Sequence, residues 1–240
     1  MPEWQVLSAR LSVFLVPATE VPSTLWRDIV GEEPESSVFQ RPTATRAETG
    51  PFAEGKLTLQ SQPMRIDWAH EPVGFPSDGP PQVLGSFPGA AEPILEVGHR
   101  WMRSAWFPRT PRMALGFILI SGVPDRATGY QELGKFVDGV PSSDDATDFL
   151  YQVNRPRASR AGVEGLHLNR LSKWSVGGHQ VVTITAVRPT LGDLRYDLRL
   201  ELDINTAPDF EGPIPQQKVE SVIDDLLDGA REIAEQGNRF

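Results

Sequence analysis

The sequence has no cysteine among its 240 residues. That single absence removes disulfides, thiolate nucleophiles, cysteine-type zinc sites and iron–sulfur clusters together. Long hydrophobic runs are missing as well. The longest, Met113 to Ile120, has eight residues, against roughly 20 for a helix that crosses a bilayer. The opening Met1-Pro-Glu-Trp4 carries no basic stretch, and Arg10 interrupts the apolar part that follows. It does not read as a secretory leader, and no Asn-x-Ser/Thr sequon occurs. A cytoplasmic location without membrane attachment is therefore expected.

Positive charge is in deficit too, with 23 basic against 32 acidic residues and a net charge of −9. A general polyanion binder needs clustered cations to displace counterions, so nucleic acid is not expected as a partner. The charge is uneven. Residues 201–240 hold ten acids and three bases, whereas Arg100, Arg103, Arg109 and Arg112 lie in a stretch without acids. Lysine is scarce, at four residues beside 19 arginines.

What is present reads as a folded chain. Hydrophobic residues make up 39%, and the 21 glycines bring the apolar share to about 48%, an ordinary value. The 22 prolines are about twice the usual share. A chain of this length can bury roughly 70–75% of its unfolded surface without staples.

Gln5 to Val16 reads as a strand that stops at Pro17. Ser23 is placed to cap a short helix through Trp26 and Ile29 that Gly31 ends. Val38 to Glu48 suits a strand, but Pro42 demotes it to an edge or irregular segment. Lys56–Gln60 and Met64–Trp68 read as a hairpin with Leu57 and Leu59 on one face. From Glu71 to Pro93 six prolines and four glycines fall in 23 residues, predicting an irregular connection without strand pairing. Residues 94–106 have helical spacing and Met113–Ser121 reads as a buried strand. A short helical stripe follows through Tyr130, Leu133, Phe136 and Val137, then a strand through Phe149, Tyr151 and Val153.

The clearest patterns lie at the end. Leu166–Val176 and His179–Arg188 flank Gly177-Gly178, the signature of a tight hairpin. That turn sets Trp174 opposite Val181, Leu171 opposite Ile184 and His167 opposite Arg188. From Leu194 to Asn205 apolar and polar residues alternate without a break, as in an antiparallel strand with one packed and one wet face. After Pro215, the residues Val219, Val222, Ile223, Leu226, Leu227, Ala230, Ile233 and Ala234 form one helical stripe, closed by Gly237. The expected class is α+β: a mainly antiparallel sheet with a C-terminal β-meander, covered by a long C-terminal helix. The expected organisation is a strand-rich half over 1–70, a Pro/Gly-rich connection over 71–93 and an α+β half over 94–240, or one continuous domain.

No chemical motif survives inspection, so no catalytic residue, metal site or cofactor is expected. Gly129-Tyr-Gln-Glu-Leu-Gly-Lys-Phe136 has phosphate-loop spacing, but Phe136 replaces the magnesium-binding hydroxyl and Glu132 would repel phosphate. The four histidines have no partner histidine at metal-site spacing. Asp67 and His70 are close in sequence, and a shared acid–base task there would give a hydrolase-like enzyme. No Gly-x-Ser-x-Gly elbow accompanies them.

The polar feature best suited to recognition is Arg155, Arg157, Arg160, Arg170 and Lys173: five bases in nineteen positions between two predicted strands, with Glu164 the only acid. Arginine forks hold carboxylates or phosphates in pairs of hydrogen bonds, and the competing role is neutralisation by Asp224, Asp225 and Asp228. Trp101 and Trp106, flanked by arginines, add a partner-contact expectation beside a core one. The leading expectation is a non-catalytic binding or assembly protein that recognises a protein partner, or a second copy of itself, through loops on the sheet. The alternatives are the acid/His enzyme and a nucleic-acid accessory protein using the Arg-rich segments.

Overall fold

The computed structural model describes residues 2–74, 80–142, 146–180, 182–184 and 189–237. The strands are β1 (Gln5–Phe14), β2 (Ser36–Gln40), β3 (Thr45–Phe52), β4 (Gly55–Gln62), β5 (Arg65–Glu71) and β6 (Arg112–Val123). They continue as β7 (Leu150–Asn154), β8 (Arg157–Ala158), β9 (His167–His179), β10 (Val182–Ile184), β11 (Pro189–Leu191) and β12 (Arg195–Thr206). The helices are α1 (Leu25–Val30), α2 (Glu92–Arg103), α3 (Arg126–Leu133) and α4 (Val219–Gln236).

Among the described residues, ten strands form one antiparallel sheet in the order β2-β3-β4-β5-β1-β6-β12-β9-β7, with β8 alongside β9. β10 and β11 pair separately. The register divides the sheet into two kinds of row. One row runs Glu48–Leu59–Trp68–Leu11–Leu115–Ile204–Arg170, and its apolar members are buried. The neighbouring row runs Thr58–Ala69–Arg10–Gly116–Asp203–Leu171–Asn154, on the opposite face. Side chains alternate across a pleated strand, so this two-residue period alone makes one face apolar and the other polar.

The helices cover the apolar face. Trp26 of α1 meets Trp68 with ring centroids 5.9 Å apart, and Trp101 of α2 meets Trp68 edge-on at 6.2 Å. The whole predicted stripe of α4, from Val219 to Ala234, is buried with Leu198, Leu200, Leu202 and Ile204 of β12 in the same core. α4 approaches closely enough that a Cβ on Gly229 would lie 3.2 Å from Ile204 Cγ2. Trp4 Nε1 donates to Ala234 O at 3.0 Å and ties the chain start to the last turns of α4. The predicted α+β class and its C-terminal helix are thus present. No helix of the described residues is long and apolar enough to cross a membrane.

Several local expectations give way. Gly177 and Gly178 do not form a turn: β9 runs through them, pairing Gly177 with Asp197 and Gly178 with Tyr196. Gly178 is small because Tyr196 lies against it; a Cβ there would meet the ring at 3.1 Å. Trp174 therefore faces Leu200 and Tyr151, Leu171 faces Asp203 and Asn154, and His167 faces Ala158. Of the expected partners, Ile184 pairs with Pro189, while Val181 and Arg188 lie outside the described residues. Val38–Glu48 is two strands, β2 and β3, because Pro42 sits in the 3-10 turn that joins them. The cap of α1 is Thr24 rather than Ser23, and its hydroxyl donates to Asp28.

The 71–93 segment is less irregular than its composition implies. Leu84 N donates to Val6 O and Val6 N to Gly85 O, each at 2.8 Å, and Phe87 N donates to Trp4 O at 2.9 Å. Residues 84–87 thereby continue the sheet beside the start of β1, where β5 has ended, and Leu84 is buried. Residues 75–79 lie outside the described set.

Glu48 stands at the end of the apolar row, and burial pushes its carboxyl up from 4.5, with Arg46 pulling the other way and Glu33 adding to the rise. The raised folded value means that its contribution to stability is complete below the unfolded value and fades as pH rises through the folded one. Glu48→Gln should therefore melt at a higher temperature than the parent at neutral pH. The gap should close below about pH 4, where both carry an uncharged group. Equal melting at neutral pH would show that the charge is solvated.

Candidate functional site

The arginine-rich loop is drawn inward. Asp225 on α4 is 4% exposed and accepts from Arg157 Nη2 at 2.6 Å, Ser159 Oγ at 2.7 Å and Arg160 N at 2.6 Å. Burial raises the Asp225 carboxyl, but these bonds, led by Arg157, outweigh it and leave the group below the usual carboxylate range. Glu232, two turns further along α4, accepts from both Arg160 and Arg170. Arg170 also donates through Nε to Arg155 O at 3.1 Å and is 6% exposed. The loop's ion pairs thus run to Asp225 and Glu232, with Asp228 adding only a weaker coulombic pull on Arg160. Lys173 belongs to a different place: three residues from Arg170 on one strand, it projects from the opposite face.

The two tryptophans also separate. Trp101 is fully buried, donates Nε1 to Trp106 O at 3.2 Å and packs on Phe107, so the expected partner contact is replaced by a core role. Trp106 is half-buried against the same core. Asp67 and His70 lie on opposite faces of β5, which excludes a shared proton. Asp67 accepts from Ser12 and Arg65 on the polar face, whereas His70 is buried beside Phe52. Gly129–Gly134 belongs to α3 and its end, with Lys135 paired to Glu132 and Phe136 buried. No phosphate loop forms there.

The face left bare by the helices holds a groove of about 620 Å³, lined by Arg10, Gly116, Glu71, Gln152, Lys173 and Glu201 among others. Gly116 forms its floor. A Cβ there would lie 3.4 Å from Leu202 O and 3.7 Å from Arg10 Nη2, so the guanidinium rests over bare backbone. Around it the charges are matched. Lys173 Nζ lies 3.3 Å from Glu201, and Arg199 Nε donates to the same carboxylate at 2.8 Å. Burial raises Glu201, and these two cations more than offset it, holding the carboxyl low. Glu71 pairs with Lys56 at 3.6 Å, and Asp203 accepts from Asn205 at 3.1 Å. Arg10, exposed over Gly116, has no ion pair or side-chain hydrogen bond among the described residues.

Sequence reasoning missed Arg10 because a lone arginine in a strand carries no motif. The signal was its alternation with the buried Ala9 and Leu11. It also missed the pair formed by His179 Nδ1 and Asp197 Oδ2 at 3.0 Å, since the hairpin expectation displaced His179. Burial raises Asp197, and His179 then Arg195 pull it back in part. Among the described residues the other ring nitrogen of His179 is buried without a partner. Among the described residues no three His, Asp or Glu side chains converge as a metal site. Set against protein-family profiles and against curated proteins, the chain gives no match.

Proposed function

We propose that the protein is a non-catalytic cytoplasmic binding protein that receives an acidic segment of a partner protein on the open face of its sheet. The observation that carries this reading is Arg10, a guanidinium over the glycine floor of the groove that is unpaired among the described residues. Its planar fork matches one carboxylate through two parallel hydrogen bonds. Lys173 stands on the groove wall as a second, partly engaged cation. The loop arginines 157, 160 and 170 pair with acids of α4, which favours the face over the loop for recognition. Glu71, Glu201 and Asp203 restrict the groove to an isolated carboxylate, because a phosphate-rich polymer would meet those acids as well.

An array of heptapeptides, each holding one acidic residue among neutral ones, tests the reading. The protein should retain a subset of them at low salt, and their glutamine or asparagine counterparts should not bind. Arg10→Ala should weaken the retained peptides about 10- to 100-fold, as a charge-assisted hydrogen bond of roughly 1.5–3 kcal/mol implies. Retention that is indifferent to Arg10 or to the peptide charge would overturn it.

A further inference from the structure

The sheet ends at β2, which pairs with β3 and with no other strand of the described residues. All five of its side chains are exposed, Val38 at 55% and Phe39 at 58% among them. The register places Val38 beside Ala47 on the open face and Phe39 beside Arg46 on the helix face. Every second residue of an outermost strand turns its N–H and C=O outward. Beyond the ladder to β3, the backbone of Ser36–Phe39 has no partner among the described residues. Natural sheets blunt such an edge with a charge, a proline or a bulge inside the strand, and Ser-Ser-Val-Phe-Gln holds none.

The sequence around this edge is complementary to itself. Antiparallel pairing of two copies about Val38 sets Val38 against Val38, Ser37 against Phe39, Ser36 against Gln40 and Glu35 against Arg41. A register shifted by one residue would set opposite faces of the two strands against each other. Glu35 and Arg41 are exposed, and neither has an ion pair among the described residues. The symmetric seam brings them together twice, as opposite charges facing one another across strands. Pro34 and Pro42 come opposite next and, lacking an N–H, stop the ladder at both ends. The strand itself is neutral, so two chains of net charge −9 meet there without like charges in contact.

We propose that β2 pairs antiparallel with β2 of a second copy of this chain, in a two-fold dimer whose register is fixed by Glu35 and Arg41. A contact of this symmetry closes on itself, so the assembly stops at two chains. Main-chain hydrogen bonds supply the attraction, and Val38 meeting its own counterpart removes apolar surface from water. The seam is short, well below the area of a permanent dimer, so it forms and dissolves with concentration. It lies at the sheet edge, four strands away from β1 and Arg10, and does not use the groove.

Sedimentation velocity of the full chain from about 1 µM to about 1 mM reads the monomer–dimer balance, and amide hydrogen exchange locates the seam. The mass should climb from 26.5 kDa to twice that value and no higher, with alternate amides of Ser36–Gln40 slowed in the dimer. Val38→Lys sets two ammonium groups against each other at an exposed position, and should lose the dimer while melting like the parent. Glu35→Arg and Arg41→Glu should each weaken it at least about threefold, and the two changes together should restore it. A merely adhesive surface would not show that restoration. Arg10→Ala should dimerise as the parent does. A parent that stays monomeric at about 1 mM would leave the edge to a strand of another sequence and overturn the proposal. So would a dimer whose β2 amides exchange at the monomer rate, growth beyond two chains, or a double reversal no better than either single one.

Discussion

Replacing Asp225 with alanine should destabilise the protein by about 3–5 kcal/mol, the range for breaking one partner out of a buried ion pair. The carboxylate satisfies three donors at once, from Arg157, Ser159 and Arg160. Without it the Arg157 guanidinium, whose side chain is 15% exposed, would face α4 without its counter-charge. The measurement is urea unfolding of parent and variant at neutral pH, read as a shift in midpoint with the slope unchanged. The pH dependence supplies a second reading. Because the folded Asp225 pKa is depressed from 3.8, its stabilisation is present above that unfolded value and is lost as pH falls through the folded one. Asp225→Ala should therefore lose stability less steeply in acid than the parent does. A loss under about 1 kcal/mol would mean that water replaces the carboxylate easily, and Arg157 alone of the loop arginines would then be open to an external partner.

That network also shows why charge clustering in a sequence misleads. Arg155 to Lys173 reads as one basic patch when counted along the chain, yet strand geometry splits it. Arg170 and Lys173 are an odd number of positions apart on β9, so a two-residue period sends one beneath α4 and the other to the groove. The same rule parts Asp67 from His70. Once the strands are assigned, the alternation alone excludes both groupings.

Where the pattern was long and unbroken, it was sufficient. The alternation from Leu194 to Asn205 and the stripe from Val219 to Ala234 each repeat often enough to fix a face; the helix stripe is buried throughout and the strand face is buried from Leu198 to Ile204, while Leu194 before the strand is exposed. Short signals failed because they have two physical meanings. A glycine pair supplies either positive φ for a turn or room for a neighbour's ring; neither residue of Gly177-Gly178 is at positive φ, and at Gly178 the second meaning holds. A proline ends a strand or sits in the turn between two, and Pro42 does the latter. The candidate sites were the least legible part. Arg10 matters through what lies beneath it, Gly116, which is 106 positions away in sequence.

Leu226→Ala carries the second large expected effect, roughly 2–5 kcal/mol, from lost burial plus the cavity left behind. Leu226 is fully buried, at the middle of the α4 stripe that faces β12 and β6. The upper half of that range is expected. Relaxation into the void would require α4 to move toward the sheet, and Gly229 already brings the helix within 3.2 Å of Ile204 as judged by a Cβ placed there. Leu171→Ala, on the open face, is the matched control and should lose under about 1 kcal/mol. The two α4 variants also test each other. Asp225 and Leu226 are neighbours in sequence, one bonded to the loop and the other packed on the sheet, and both act through the seating of α4. Their losses in the double variant should fall short of the sum by about 0.5–3 kcal/mol, as expected for coupled neighbours. Strict additivity would show that the loop network and the helix–sheet packing are independent, with α4 held by either one alone.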